Sequence, residues 1–285
     1  ETAGDMCSAQ KSITAILIGM AIEQKLIRGL DQSASDFLKE WKGTPKEKIT
    51  VRHVLTMTAG LHSTKKSDLF EALRSADQAA FGLALEPDRA PGAVWAYCNP
   101  AYTLTNLLLE RATGMTRDAY AKKNLFGPLG MARSEAGWQE LSARWKLKHE
   151  GLTSSCRDMA RFGLLALRGG RWGDRRLVEA DFLAAATSPS QELNPAYGYL
   201  WWLNGSRTHL LPFDEKPREG MLMPDCPPDA IAALGARDSK IYVIPSLDLV
   251  VTRLGEAAVK GADGLESVAL SLSEFDNEFL SRVCR

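Results

Sequence analysis

This sequence of 285 residues has no excess of charge, because 35 lysines and arginines balance 35 aspartates and glutamates. A formal net charge of zero provides no field that would attract a polyanion, which argues against nucleic acid as a partner. Cysteine is scarce, and its five residues include no C-x-x-C pair, so neither a zinc knuckle nor a thioredoxin-type redox site is predicted. An odd number of cysteines leaves at least one thiol free or paired between chains.

Long hydrophobic runs are also missing. The longest near the start, residues 13–22, is about half of the roughly 20 residues that cross a bilayer, so no membrane span is predicted. No basic segment precedes this run and no small-residue cleavage site ends it, which favours a buried helix over a secretion signal. With 45% hydrophobic and 25% charged residues, the chain has the balance of a globular protein with a sizeable core.

The common catalytic signatures are absent as well. The chain contains no G-x-S-x-G elbow, no H-E-x-x-H, no Walker loop and no G-x-G-x-x-G. Its four histidines are dispersed, and a structural or surface role is favoured for each over a Ser-His-Asp triad or a histidine-rich metal site. We therefore expect neither a metal nor an organic cofactor.

Hydrophobic periodicity predicts an α+β fold. Apolar residues at helical spacing follow Ser8 up to a stop near Gly29, and further helices are predicted at 50–60, 66–86, 101–113, 116–125, 155–168 and 265–283. Short β-branched or aromatic runs at 199–203, 231–234, 240–244 and 249–252 predict strands, the last two forming a hairpin. Residues 212–228, rich in proline and charge, are predicted to form a long surface loop of the kind that often borders a site.

The tetrad Ser8-Ala9-Gln10-Lys11 lies where the first helix begins. A spacing of three places the serine and the lysine on one helical face, so that the amine can reach the hydroxyl. A serine needs a base to become a nucleophile, and a buried lysine with a lowered pKa can supply one. The alternative interpretation is an N-capping serine followed by a solvated lysine.

Three segments in a fixed order make the tetrad more specific. Ser8-x-x-Lys11 is followed by residues 49–61 (ITVRHVLTMTAGL) and then by Pro91-Gly92 leading to Tyr97-Cys98-Asn99-Pro100-Ala101-Tyr102. This order, together with the segments 124–131 (NLFGPLGM) and 157–163 (RDMARFG), resembles that of the penicillin-binding protein and class C β-lactamase-like serine hydrolases. The likeness runs from Ser8 to the final helix.

The resemblance implies an α+β fold of the β-lactamase/transpeptidase type, with an antiparallel sheet flanked by helices and an all-helical lobe. We expect a single serine-hydrolase domain over 1–285, with the helical lobe at about 45–195 and the sheet with the C-terminal helix at about 196–285. Only seven residues precede Ser8, so the N-terminal sheet strands of the family are expected to be missing.

The resemblance also implies site residues. Ser8 corresponds to the acylated nucleophile, Lys11 to its partner, and Tyr97 to the tyrosine of the Y-x-N element. An adjacent ammonium would favour the phenolate of Tyr97, which would then carry the serine proton to the leaving group. Asn99 would orient the substrate or Lys11.

The third family element is a basic residue, a variable residue and glycine on a strand that lines the site. Its best match is Ala233-Leu234-Gly235, followed by Ala236. Gly235 would allow close approach of the substrate, and the N–H groups of Ala236 and Ser8 would form an oxyanion hole. Ala233 stands where the family usually has lysine or histidine, a cation that favours substrates with a carboxylate.

Arg237 or Lys240 could compensate for the missing cation, although a solvated charge at the end of a strand is the favoured interpretation. Cys7 and Cys98 flank the proposed nucleophile and tyrosine, and for both a small buried side chain is favoured over a nucleophilic thiol. Two further patterns are weaker. The aromatic pair Trp201-Trp202 could line an acyl pocket, and Asn204-Gly205-Ser206 matches a glycosylation acceptor.

These residues predict a serine hydrolase that acts on a small-molecule ester or amide through an acyl-enzyme on Ser8, most like a carboxylesterase. A β-lactamase or D-alanyl-D-alanine carboxypeptidase, and a non-catalytic β-lactamase-like binding or sensor protein, remain the alternatives. Because members of this family often work in the bacterial periplasm or after export, the resemblance favours such a location for this protein. A cytoplasmic location is the alternative. The oligomeric state, the natural substrate and the pairing of the cysteines are left undetermined by the sequence.

Overall fold

The fold is described by a computed structural model for residues 2–143, 145–255 and 274–284. The helices in these ranges are α1 (Gln10–Glu23), α2 (Val51–Leu55), α3 (Ala72–Arg74), α4 (Gln78–Ala84), α5 (Asn99–Thr113), α6 (Arg117–Ala121), α7 (Gly127–Leu129), α8 (Cys156–Leu167), α9 (Ala180–Ala186) and α10 (Glu274–Val283). The strands are β1 (Gly4–Asp5), β2 (Glu135–Ser142), β3 (Leu147–Ser154), β4 (Arg171–Trp172), β5 (Arg175–Arg176), β6 (Trp202–Leu203), β7 (Thr208–His209), β8 (Arg218–Glu219), β9 (Ile231–Leu234), β10 (Lys240–Ile244) and β11 (Leu249–Arg253). Helices and antiparallel sheets occur together, which confirms the predicted α+β class.

Helix α1 is the central element of the core. Every residue from Gln10 to Ala21 is buried, so the helix is covered on all sides rather than on one face, as a helix that is apolar all round must be. It contacts α5, α9 and β9. A 3₁₀ turn, Cys7–Ala9, precedes it and carries Ser8, while Lys11 lies in the first turn of α1 itself.

Residues 45–195 were predicted to form an all-helical lobe, but strands β2 to β5 and the unpredicted helix α9 lie among its helices, so the region is not all-helical. The predicted helices occur in the expected order, with one break. Thr50 caps α2 by accepting a hydrogen bond from the N–H of His53, and α5 ends at Gly114, whose φ of 67° lies in the left-handed region. The helix predicted over 66–86 is instead a π-helical turn (Ser67–Glu71), α3 and α4. A new cap at Asp77, whose carboxylate accepts from the N–H of Ala80, starts α4.

The main sheet has the strand order β11-β10-β9-β6, all antiparallel. The hairpin predicted for β10 and β11 is present and turns through Pro245–Leu247. Only Trp202 and Leu203 of the strand predicted over 199–203 are extended, because the N–H of Leu200 bonds to Leu55 in the helical lobe instead of to a neighbouring strand.

The end of β9 lies directly against the turn that carries Ser8. A Cβ atom on Gly235 would lie 2.4 Å from the carbonyl oxygen of Met6 and 2.8 Å from the nitrogen of Ala9, so only glycine allows the two backbones to approach this closely. This contact places the third sequence element beside the first.

A second sheet, with the order β1-β3-β2, was not predicted from the sequence. Strands β2 and β3 form a long hairpin, and the short β1 pairs with the other edge of β3, with Asp5 opposite Thr153. The hairpin brings His149 and Glu150 of β3 to the same cavity as Ser8.

Of the closing helix predicted over 265–283, the part from Glu274 to Val283 is helical, and the rest lies outside the described residues. Leu280 of α10 is buried in the core. Within the described ranges, no helix combines the length and the apolar character needed to cross a bilayer.

Candidate active site

One cavity of about 480 Å³ brings the predicted motifs together. Ser8, Lys11, Tyr97, Asn99 and Ala236 all line it. Gly235 does not line it and instead forms the backbone contact with the Ser8 turn described above. The volume of the cavity lies within the range of small-molecule binding sites.

The side chains of Ser8, Lys11 and Tyr97 converge. Lys11 Nζ donates hydrogen bonds to Ser8 Oγ at 3.0 Å and to Asn99 Oδ1 at 2.8 Å, and Tyr97 lines the same cavity. The ammonium also lies 5.1 Å from the centre of the Tyr97 ring and 4.3 Å from that of Tyr102. The amine of Lys11 is therefore held between the serine hydroxyl, the Asn99 amide and two phenol rings.

Burial decides which of these two groups can act as a base. It lowers the pKa of Lys11 from 10.5 to about 8, even though the carboxylate of Asp68 acts in the opposite direction. Burial raises the pKa of Tyr97 well above its usual value of 10, and its interaction with the Ser8 side chain offsets only part of this. The predicted phenolate of Tyr97 is thus wrong: near neutral pH Tyr97 is a phenol, and the lysine is the group whose neutral form is accessible.

Asn99 is held by a residue that the sequence analysis missed. Asp68 is fully buried and accepts hydrogen bonds from the side-chain nitrogen of Asn99 at 2.5 Å, from its main-chain N–H at 2.6 Å and from Ser63 at 3.3 Å. These bonds fix the amide so that its oxygen faces Lys11. Burial raises the pKa of Asp68 to about 6. In the sequence Asp68 is an acidic residue in a predicted helix, and nothing local distinguishes it from a solvated one.

The turn that carries Ser8 is held by a second network, which is partly buried. Asp5 accepts a hydrogen bond from the main-chain N–H of Cys7 at 2.9 Å and lies 2.8 Å from His149 Nε2. The other ring nitrogen of His149 lies 3.4 Å from the amide nitrogen of Gln10, whose oxygen accepts from Arg117 at 2.9 Å. Although burial raises the pKa of Asp5, its hydrogen bond and charge interaction with His149 hold that pKa below its usual value.

Two main-chain N–H groups are available for an oxyanion. In the described part of the chain, neither Ser8 nor Ala236 donates its main-chain N–H to an acceptor, and both residues line the cavity. Ala236 follows Gly235, which the end of β9 holds against the Ser8 turn. This is the arrangement that an oxyanion hole requires.

The cation missing at Ala233 is not replaced by its neighbours. The Arg237 guanidinium donates to the carbonyl oxygen of Leu141, and Lys240 is 1% exposed and lies 3.1 Å from Asp238. Neither basic residue lines the cavity, so compensation by them is wrong, as is a solvated position for Lys240. Lys65 and Arg218 do line the cavity.

The weaker candidates are explained by burial. Cys7 and Cys98 are buried, and burial raises the pKa of both thiols, that of Cys98 to about 12, which keeps them protonated and poorly nucleophilic. Trp201 and Trp202 are buried and do not line the cavity, although Trp202 stacks on Tyr97 with ring centres 6.2 Å apart.

The glycosylation signal at Asn204 is also wrong. Asn204 is fully buried, and its side-chain nitrogen donates to the carbonyl oxygens of Met223, Cys226 and Pro227. Its amide therefore holds the backbone of the segment that contains these three residues in place. In the described ranges, His, Cys, Asp and Glu side chains form no group of three that could hold a metal ion.

Comparison with known proteins agrees with this geometry. The family model described as Beta-lactamase matches residues 1–266. The chain is 32% identical over 114 residues to monacolin J acid methylbutanoyltransferase of Aspergillus terreus, a match that covers 37% of this chain and 26% of that protein. It is 26% identical over 152 residues to penicillin-binding protein 4* of Bacillus subtilis, covering 48% of this chain and 31% of that protein. The matches thus span less than a third of either relative.

The fold is shared over almost the whole chain. The solved structure of simvastatin synthase from Aspergillus terreus superposes with a TM-score of 0.65 at 17% identity, covering 99% of this chain and 84% of that one. The predicted β-lactamase/transpeptidase-like fold is thereby confirmed.

Proposed function

The chain belongs to the Beta-lactamase family. On this premise we propose that it is a serine hydrolase that cleaves a small-molecule ester or amide through an acyl-enzyme on Ser8. Its activity would be most like that of a carboxylesterase. The observation that carries the proposal is the contact between Lys11 Nζ and Ser8 Oγ at 3.0 Å, in a cavity where burial lowers the pKa of the lysine to about 8. A neutral amine at this position is a base within reach of the proton that it removes.

Acylation uses all three converging groups. Neutral Lys11 takes the proton of Ser8 as Oγ attacks the carbonyl carbon, and the N–H groups of Ser8 and Ala236 stabilise the oxyanion that forms. When the intermediate collapses, the bond from the carbonyl carbon to the leaving oxygen or nitrogen breaks. The Tyr97 phenol protonates the leaving group and recovers a proton from the Lys11 ammonium.

Deacylation repeats the sequence with water as the nucleophile. Lys11 accepts a proton from water, the new carbon–oxygen bond forms, and the bond to Ser8 Oγ breaks as the serine regains its proton. The products are an acid and the free enzyme.

Acyl transfer to an alcohol is the second candidate function. It differs only in the acceptor, which would take the place of water. The similarity to a methylbutanoyltransferase favours it.

The cavity wall favours an uncharged, apolar acyl group. Six apolar side chains line it: Leu69, Leu73, Leu141, Leu211, Pro212 and Phe213. The cation that recognises a substrate carboxylate is replaced by Ala233, and Arg218 is already paired with Asp214 through two hydrogen bonds, so that of the two basic residues Lys65 and Arg218 in the lining only Lys65 is left to meet a carboxylate. We therefore rank carboxylesterase activity above β-lactam or D-alanyl-peptide hydrolysis, in which a carboxylate has to be bound.

Hydrolysis of p-nitrophenyl butyrate and of a penicillin tests this proposal. We expect turnover of the ester and little of the penicillin, loss of activity in Ser8→Ala, and unchanged activity in Ser188→Ala, a matched change at an exposed serine outside the cavity. Turnover that survives in Ser8→Ala would refute the mechanism. A lasting adduct without turnover would favour a binding or sensor protein.

A further inference from the structure

Two of the five cysteines lie in contact at a place that the proposed chemistry does not use. Cys226 Sγ and Cys284 Sγ are 3.3 Å apart, and both are thiols in the structure. Among the described residues, no other pair of cysteine sulfurs is in hydrogen-bond contact. A disulfide needs about 2.05 Å between sulfurs, so the two atoms have to approach by only about 1.2 Å.

The backbone on each side of this contact is fixed. The N–H of Cys226 donates to Met223 at 3.0 Å, and its carbonyl oxygen accepts from the buried Asn204 amide at 3.1 Å. Cys284 follows α10, and its N–H donates to Leu280, which is 1% exposed and anchors the helix in the core. The sulfurs therefore face each other because two separate parts of the fold hold them there.

We propose that Cys226 and Cys284 form an intramolecular disulfide when the protein meets a low-molecular-weight disulfide such as oxidised glutathione. The bond would join α10 to residues 212–228, and Pro212, Phe213 and Arg218 of this segment line the active-site cavity. The link restrains one wall of the site from behind. It does not depend on the acyl-enzyme proposal, because neither sulfur lines the cavity.

The exchange proceeds in two steps. Cys284, the more exposed of the two, attacks the glutathione disulfide as a thiolate, so that one S–S bond breaks and one glutathione leaves with its electron pair. Cys226 then attacks the Cys284 sulfur of the mixed disulfide and releases the second glutathione. The two thiol protons end on the two released glutathiones, so two protein thiols are oxidised and one glutathione disulfide is reduced. Burial raises the pKa of the Cys226 thiol, which agrees with its reacting second.

Peptide mapping of the full chain tests the link directly. The protein is equilibrated with oxidised glutathione, denatured, alkylated, and digested without reductant. We expect a cross-linked peptide pair that contains Cys226 and Cys284 and whose mass is about 2 Da lower than the sum of the two reduced peptides. Cys156→Ser, which alters an exposed cysteine, should retain this pair, and Cys284→Ser should lose it.

A thermal readout separates a structural bond from an incidental one. Dithiothreitol should lower the Tm of the oxidised wild type and of Cys156→Ser by roughly 5 °C or more and leave Cys284→Ser unchanged. Alkylation of both Cys226 and Cys284 in the oxidised wild type, or glutathione retained on Cys284 beside an alkylated Cys226, would overturn the proposal. The wild-type mapping needs no variant, so it holds even if a substitution prevents folding.

Discussion

At the scale of single residues, the environment of Lys11 decides the chemistry. A solvated lysine is an ammonium that cannot accept a proton, whereas Lys11 is buried between Ser8, Asn99 and the rings of Tyr97 and Tyr102. Tyr97 is as deeply buried, but burial moves the pKa of a phenol away from neutrality and that of an amine towards it. In the proposed mechanism, the same physical cause therefore favours Lys11 as the base and Tyr97 as the proton donor.

This difference predicts the pH dependence of the reaction. Because the neutral form of Lys11 is active, kcat/KM for an ester should be constant above pH 8 and fall about tenfold per pH unit below it. Steady-state rates between pH 6 and pH 9.5, with folding checked by circular dichroism at each pH, measure the profile. A flat profile, or one that falls as the pH rises through 8, would contradict the role of Lys11.

Asp68, which contacts Asn99 rather than Ser8, should affect the same pH profile. In Asp68→Asn the carboxylate that holds Asn99 is lost, and with it the negative charge that raises the pKa of Lys11. We expect kcat to fall roughly 10- to 100-fold and the inflection to move to lower pH. Asp181→Asn, a matched change at an exposed residue outside the cavity, should leave both unchanged. An unshifted inflection in Asp68→Asn would mean that Asp68 acts only through structure.

At the scale of elements, the site forms where three separate parts of the chain meet: the 3₁₀ turn with the first turn of α1, the start of α5 and the end of β9. The first two could be predicted, because Ser8-x-x-Lys11 lies at the start of an apolar helical pattern and Tyr97-x-Asn99 matches the Y-x-N element of the family that the sequence resembles. The β2–β3 hairpin could not, because its strands carry charged residues on partly exposed faces and show little alternation. Asp5 and His149 were missed for the same reason, since they meet only through the pairing of β1 with β3.

The contact between β9 and the Ser8 turn can be tested with one methyl group. In Gly235→Ala, the new Cβ would meet main-chain atoms of Met6 and Ala9, which cannot move away as a flexible side chain can. We expect a loss of about 1–3 kcal/mol in the free energy of unfolding and a kcat/KM lower by roughly 100-fold, because the oxyanion hole is displaced. Urea denaturation and ester hydrolysis measure the two effects.

Gly137→Ala is the matched control for this prediction, since a Cβ there has no neighbour within 4 Å. It should leave both the stability and the rate unchanged. Equal activity in Gly235→Ala and Gly137→Ala would show that the close approach of β9 is not needed for catalysis.

At the scale of the whole molecule, the sequence was sufficient for the α+β class, because the helical periodicities and the strands of the main sheet could both be recognised, although the β1-β3-β2 sheet among the helices was missed. The sequence was less informative about which charged side chains reach the cavity. Arg237 and Lys240 follow Gly235 by two and five positions, yet Lys240 is buried against Asp238 and Arg237 donates to the carbonyl oxygen of Leu141. Whether a basic residue reaches a cavity depends on its partners in space, and these are set by strands far apart in the sequence.

The molecule as a whole is expected to pass through one covalent intermediate, and its detection is the most direct test of this account. Intact-mass spectrometry after rapid acid quenching of a p-nitrophenyl butyrate reaction, followed by fragmentation of the N-terminal peptide, locates the acyl group. We expect one butyryl group per chain, bonded to Ser8 and formed in step with the first equivalent of nitrophenol. Nitrophenol release without any adduct, or a butyryl group on Cys7 in place of Ser8, would contradict it.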